Sequence, residues 1–246
     1  MKENEHIKKC LHFTMAFTGG FLGAYSLLNY HDLFGNAQTS NLIYLVGSAI
    51  NRDAIQFILR FLDLFVYVSG LAATVFIPKY TKCNIQVLSV VFNCIAGILL
   101  CLYPAGINDY IALCPILFAM AFQWNSFSGA EGFTSSTIFS TNNLRQFVTS
   151  LSQYKTDKDP KMLKKAKFFG GTLLCYHFGV AVSFMAFLLF QKKAGWICIF
   201  PSMLALYELN LLNNWVSVPS FGYQTKIELK PDVVYSETQK RNNIAS

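Results

Sequence analysis

The sequence predicts an all-α integral membrane protein: about six transmembrane helices, two polar partial helices and an internal two-fold repeat. Three observations predict it. First, hydrophobic residues make up 53% of the 246-residue chain and charged ones only 13%, against roughly 25% charged in an average soluble domain. Second, four stretches carry no Asp, Glu, Lys or Arg: Cys10–Tyr30 with 21 residues, Cys83–Asn108 with 26, Tyr110–Ala130 with 21 and Phe168–Gln191 with 24. About 20 mainly apolar residues in a helix cross the hydrocarbon core of a bilayer. Third, both halves read in the same order: span, polar segment, span, span. A soluble enzyme, a secreted disulfide scaffold and a nucleic-acid-binding domain are excluded as first readings.

The elements follow in order. Residues 1–10 carry Lys2, Lys8 and Lys9 and form a cytoplasmic N-terminus. The first span covers 11–29. It is too long for a signal peptide and lacks a small-x-small cleavage site, so it reads as retained. Its Gly19, Gly20 and Gly23 let another helix approach closely. The first polar segment runs from His31 to Asn51. A span over 57–77 follows, capped by Asn51 or Asp53, with Arg60 and Asp63 spaced i, i+3 to pair. The next span, 85–104, ends at Pro104-Ala105-Gly106, a turn signal. These complete a first repeat over 11–104.

The second repeat, 105–213, opens with a span over 110–127 that Pro115 bends. The second polar segment covers 128–154, and a basic loop covers 154–167. Asp159-Pro160 reads as an N-cap followed by a proline at the first helical position. The helix it starts enters the membrane at 168–190. Lys192 and Lys193 mark the turn before the last span, 194–212, and residues 214–246 form a polar cytoplasmic tail. At an offset of 101 residues Phe17 meets Phe118, Phe21 meets Phe122 and Asn41 meets Asn142. Repeats of this kind are common in transporters.

The net charge of +7 is concentrated in that basic loop, at Lys155, Lys158, Lys161, Lys164, Lys165 and Lys167, and at the N-terminus. Short basic segments beside spans mark the cytoplasmic side, so both termini and the loop lie inside. If neither polar segment crosses, there are six spans and the halves are inverted. If both cross, there are eight and the halves are parallel. Six spans plus two partial helices is the preferred scheme. The seven cysteines fall mostly in apolar runs without CxxC spacing or a nearby histidine pattern, and read as packing groups. No disulfide, metal or cofactor is expected.

Chemistry is concentrated in the two polar segments. The first offers Asn36, Gln38, Thr39 and Asn41; the second offers Gln123, Asn125, Glu131, Ser140, Thr141, Asn142, Asn143 and Arg145. Polar groups at membrane depth must be buried in protein or line water. Broken helices in transporters present helix ends and unwound backbone to a substrate. Interhelical hydrogen bonding without a ligand is the alternative. Glu131 and Arg145 could pair, or Arg145 could meet an anion. Glu208, close to the end of the last apolar run, reads as interfacial, with proton coupling as the other option. His177 reads first as a packed hydrogen-bond donor, and weakly as a titrating group. Walker, GxGxxG, HExxH and GxSxG patterns are missing, and an enzyme is not the reading.

The run Asn36-Ala37-Gln38-Thr39-Ser40-Asn41-Leu42-Ile43-Tyr44-Leu45 resembles a signature of the YoaK family, bacterial multipass membrane proteins filed as a domain of unknown function. So does Phe122-Gln123-Trp124-Asn125 continuing to Ser135–Arg145. The similarity covers residues 11–213. Many relatives have Thr-Gly-Asn where this chain has Thr39-Ser40-Asn41. The resemblance implies a bacterial inner or plasma membrane and about six spans, and supplies no substrate.

The function expected is a small secondary transporter or permease for a small polar or anionic solute. A membrane scaffold or assembly factor is the rival. The partners expected are the lipid bilayer and that solute, with a homo-oligomer left open and no nucleic acid.

Overall fold

Eight α-helices occupy the described residues of a computed structural model, which covers 2–30, 33–104 and 106–215. They are α1 (Lys2–Asn29), α2 (Thr39–Ile50), α3 (Ala54–Tyr80), α4 (Ile85–Leu102), α5 (Asp109–Ser126), α6 (Thr141–Asp157), α7 (Pro160–Phe190) and α8 (Ile199–Trp215). A hairpin of β1 (Gly129–Ala130) and β2 (Phe133–Thr134) sits between α5 and α6. A 3₁₀ stretch, Gln191–Cys198, sits between α7 and α8. The polar tail expected over 214–246 lies, from residue 216 onward, outside the described residues.

Side-chain caps set four of the helix starts. Asp53, Asn84, Asn108 and Asp159 accept from Gln56 N (3.0 Å), Gln86 N (2.8 Å), Tyr110 N (3.0 Å) and Lys161 N (2.8 Å). Each such bond satisfies a backbone donor that the helix itself leaves unpaired. The starts of α2 and α6 differ, because neither Gln38 nor Ser140 closes its own helix with its side chain.

Three segments are long and apolar enough to cross a membrane: Ala54–Tyr80, Ile85–Leu102, and Pro160–Asn213, which contains α7, the 3₁₀ stretch and most of α8. They carry large exposed apolar side chains such as Phe65, Val75, Leu174, Leu188 and Phe200, the surface a bilayer would cover. The first and fourth expected spans have a different character. Helix α5 is buried at ten positions, and α1 is buried along most of its length from Leu11. Helices sheathed by other helices can carry polar groups away from lipid: Thr18 donates to Thr14 O one turn earlier in α1, and Gln123 bonds to α1 and α4.

Helix α1 packs on α7 and α8, while α5 packs on α3 and α4. Helix α2 lies on α3, α6 on α7, and α4 meets α8. Glycine makes the closest approaches. The space a side chain on Gly20 would need is filled by the Tyr176 carbonyl; at Gly179 it is the Phe17 carbonyl, and at Gly70 the Phe118 carbonyl.

The second polar segment departs from the expected partial helix in its first part. Glu131 (φ 55°) and Gly132 (φ 83°) are both left-handed, and a two-residue turn of that kind joins antiparallel strands. Helix α6 begins only at Thr141. Ser40, where many relatives of the resembled family have glycine, lies inside α2 and outside the left-handed region, so a side chain is tolerated there. The turn at Lys192 and Lys193 extends into eight residues of 3₁₀ helix before α8 starts at Ile199. Gly97 of α4 lies against Gly195 and Cys198 there, and the close contact holds this tighter backbone.

Candidate functional site

A cavity of about 680 Å³ lies between the starts of α2 and α6. Gln38 and Thr39 line it from α2; Ser140, Thr141, Asn142 and Arg145 line it from α6. Tyr67 of α3 and Tyr176 of α7 contribute phenols, and Phe34, Trp124 and Phe139 contribute apolar walls. The Trp124 and Phe139 rings meet edge to face, with centroids 4.7 Å apart.

Among the described lining residues Arg145 alone is charged, and its Nη2 donates to Asn142 Oδ1 at 2.9 Å. The Gln38 amide nitrogen is buried without a hydrogen-bond partner, while its Oε1 accepts from Asn41 Nδ2 at 3.3 Å. Two helix starts, uncapped by their own N-cap side chains, also reach the cavity. A helix N-terminus presents backbone N–H groups and a partial positive charge of about half a unit. Donors, dipoles and a guanidinium therefore converge on one space, an arrangement suited to an anionic group.

The remaining candidates lie elsewhere and hold the fold together. Asn36, fully buried, donates through Nδ2 to Gly19 O (2.8 Å) and Ile138 O (2.9 Å), and its carbonyl accepts from Tyr67 Oη at 3.1 Å. It also lies 3.5 Å from Tyr176 Oη, so both cavity tyrosines meet behind the cavity on one asparagine. Gln123 donates to Met15 O and Thr137 Oγ1, both at 2.9 Å, and accepts from Asn93 at 2.8 Å. Asn143 donates to Ser136 O (2.7 Å) and Phe139 O (2.9 Å). Asn125 donates to Thr74 Oγ1 at 3.0 Å.

The suggested Glu131–Arg145 pair is not formed. Glu131, at the hairpin turn, meets Lys9 at 3.1 Å and Lys164 at 3.9 Å, tying α1 to α7. His177 is exposed and its Nδ1 lies 2.9 Å from the Leu173 carbonyl one turn earlier. Glu208 is buried within the protein, accepting from Thr14 Oγ1 at 3.3 Å where α8 packs on α1. The expected Arg60–Asp63 pair is also absent: neither Asp63 oxygen has a hydrogen-bond partner. The Arg60 guanidinium lies instead over the rings of Tyr44 (4.8 Å) and Tyr110 (5.2 Å), faces that attract a cation.

Sequence reading passed over Tyr67 and Tyr176. A signal was present, because each is followed three residues later by a glycine, Gly70 and Gly179, at a helix contact.

Fold and cavity together define an α-helical protein with apolar helices able to cross a membrane and, between two helix starts, a cavity whose largely apolar wall carries a few polar groups. The chain belongs to the family described as "Protein of unknown function (DUF1275)", whose model matches residues 11–207. Neither a curated protein nor a solved structure matches it.

Proposed function

We propose that this protein is a small secondary transporter or permease for a small polar solute, preferentially an anion, built from two inverted repeats. It resides in a bacterial cell membrane as a YoaK-type protein, with six crossings and both termini in the cytoplasm. The observation that carries this reading is the convergence of Arg145 with the starts of α2 and α6, neither capped by its own side chain, on one cavity.

Duplication within the chain supports it. At an offset of 102 residues, Asn41 corresponds to Asn143 and Ser48 to Ser150, and all four are buried. Both helices also begin alike: Leu42 N donates to Gln38 O and Leu144 N to Ser140 O, each at 2.8 Å. Arg52 (φ 56°) precedes the cap Asp53 as Lys158 (φ 55°) precedes the cap Asp159. At an offset of 109, the four buried residues of α3 (Asp63, Tyr67, Gly70, Thr74) fall on buried Thr172, Tyr176, Gly179 and Ser183 of α7. Ala96 and Leu100 likewise fall on Ala205 and Leu209. Corresponding residues from the two halves thus share the cavity wall, as at the repeat interface of transporters.

The scaffold alternative draws on Asn36, Gln123 and Asn143, whose amides are taken up by bonds within the protein. It leaves Arg145 and the spare Gln38 donor without a purpose.

Thermal unfolding of detergent-purified protein against inorganic phosphate, sulfate, acetate, succinate and neutral polar solutes tests the proposal. A ligand at 100 times its Kd adds about 2.7 kcal/mol to stability. An anion that raises the melting temperature of wild type but not of R145Q supports the site. A shift retained in R145Q, or no shift with any anion, overturns it.

A further inference from the structure

We propose that Asp63 is a proton-binding site within the helical core, loaded or emptied as the Arg60 guanidinium moves between two tyrosine rings and the carboxylate. Asp63 is 1% exposed, and neither of its oxygens has a hydrogen-bond partner. It sits one turn before Tyr67, a cavity-lining residue, on the buried face of α3. Three residues away, Arg60 Nη1 is likewise buried and unpartnered.

A carboxylate buried without partners is far more costly than the neutral acid in the same place. The arrangement is therefore that of the acid, with Arg60 held by the π faces of Tyr44 on α2 and Tyr110 on α5. Loss of the proton to water leaves an anion at i+3 from a guanidinium with a free N–H, a spacing at which helix neighbours pair. Arg60 would then leave Tyr44, loosening the hold of α3 on α2, the helix whose start lines the cavity.

The titratable groups around this centre are Arg60 and Tyr67 on α3, Tyr110 and Cys114 on α5 and Tyr44 on α2, with Asp53 and Asp109 at the starts of α3 and α5. The counterpart of Asp63 in the second half, Thr172, donates to Phe168 O at 3.1 Å, so only one half carries the acid. Proton binding stands on this geometry alone; that the proton accompanies an anion rests on the transport reading.

Infrared difference spectra of the protein in phosphatidylcholine vesicles, titrated across the neutral range in H₂O and D₂O, test the assignment. Wild type should give a deuterium-sensitive C=O band of a protonated carboxyl that D63N loses and E208Q keeps. In R60Q the band should persist to higher pH by about one unit or more, since an adjacent cation favours the anion by that much. A band unchanged in D63N overturns the site, and an unshifted titration in R60Q overturns the role of Arg60. If D63N fails to fold, D63E replaces it: a band displaced in frequency supports the assignment, and an identical one overturns it. R145Q should leave the band intact, which separates failure of the anion site from failure of the proton site.

Discussion

At Gly179 an added methyl group would meet the Phe17 carbonyl, which is backbone and cannot swing away, whereas at Gly47 of α2 nothing lies within 4 Å. G179A should therefore lose stability by about 1–3 kcal/mol, the usual cost of overpacking a tight contact. G47A should gain up to about 1 kcal/mol from helix propensity. Thermal unfolding in one detergent checks both signs at once. The polar residues divide by the same logic. Asn36→Ala leaves the buried Ile138 carbonyl without its donor and removes a second bond from Gly19 O, which keeps its helix bond, at about 1–3 kcal/mol for the unpaired group. Asn142→Ala removes an exposed side chain whose bond goes to Arg145, and stability should stay within about 0.5 kcal/mol while response to a bound anion weakens. Equal destabilisation by the two asparagine variants would contradict this division between framework and cavity.

The twelve residues of α2 span about 18 Å at helical rise, short of the roughly 30 Å of a hydrocarbon core. If α1 and α3 cross, as proposed, and α2 does not, the end of α3 returns to the side of the N-terminus. In a cysteine-free background, K79C should then resist a membrane-impermeant maleimide added outside intact cells. Modification from outside would require the first polar segment to cross and would overturn the six-crossing scheme. Length and charge spacing made the long helices legible in the sequence, as did the Asp159-Pro160 start. The hairpin was not legible, because its turn rests on Glu131 adopting a left-handed conformation that favours glycine or asparagine. Residue type does not separate Asn142 from Asn143, whereas burial does: Asn143 is buried and Asn142 exposed. Of the candidate site, the residues at the two helix starts were readable as polar motifs. Which of them face the cavity depends on partners far along the chain, such as Met15 for Gln123, and no local pattern encodes those.

Across the whole molecule, each half lends its first helix to the other: α1 packs on α7, and α5 on α3. The two contacts are unequal. Helices α1 and α7 approach at glycines on both sides, Gly20 and Gly179, whereas α3 and α5 meet at Gly70, against Phe118 O and Ala121. At these closest points the first contact is backbone against backbone, and the second adds the Ala121 methyl group. On the proposed reading of two inverted halves, exchange between the two contact arrangements would open the shared cavity first to one side and then to the other, about a fixed site. Thr39 and Thr141, the first residues of α2 and α6, both line that cavity. Cysteines placed singly at these positions in a cysteine-free protein of known orientation in vesicles should be modified by impermeant reagent from either side, and more slowly once an anion from the melting screen is bound. Modification from one side only, unaffected by any anion, would mean a chamber with a single mouth and would remove the case for transport, because a solute that enters and leaves by the same opening crosses nothing.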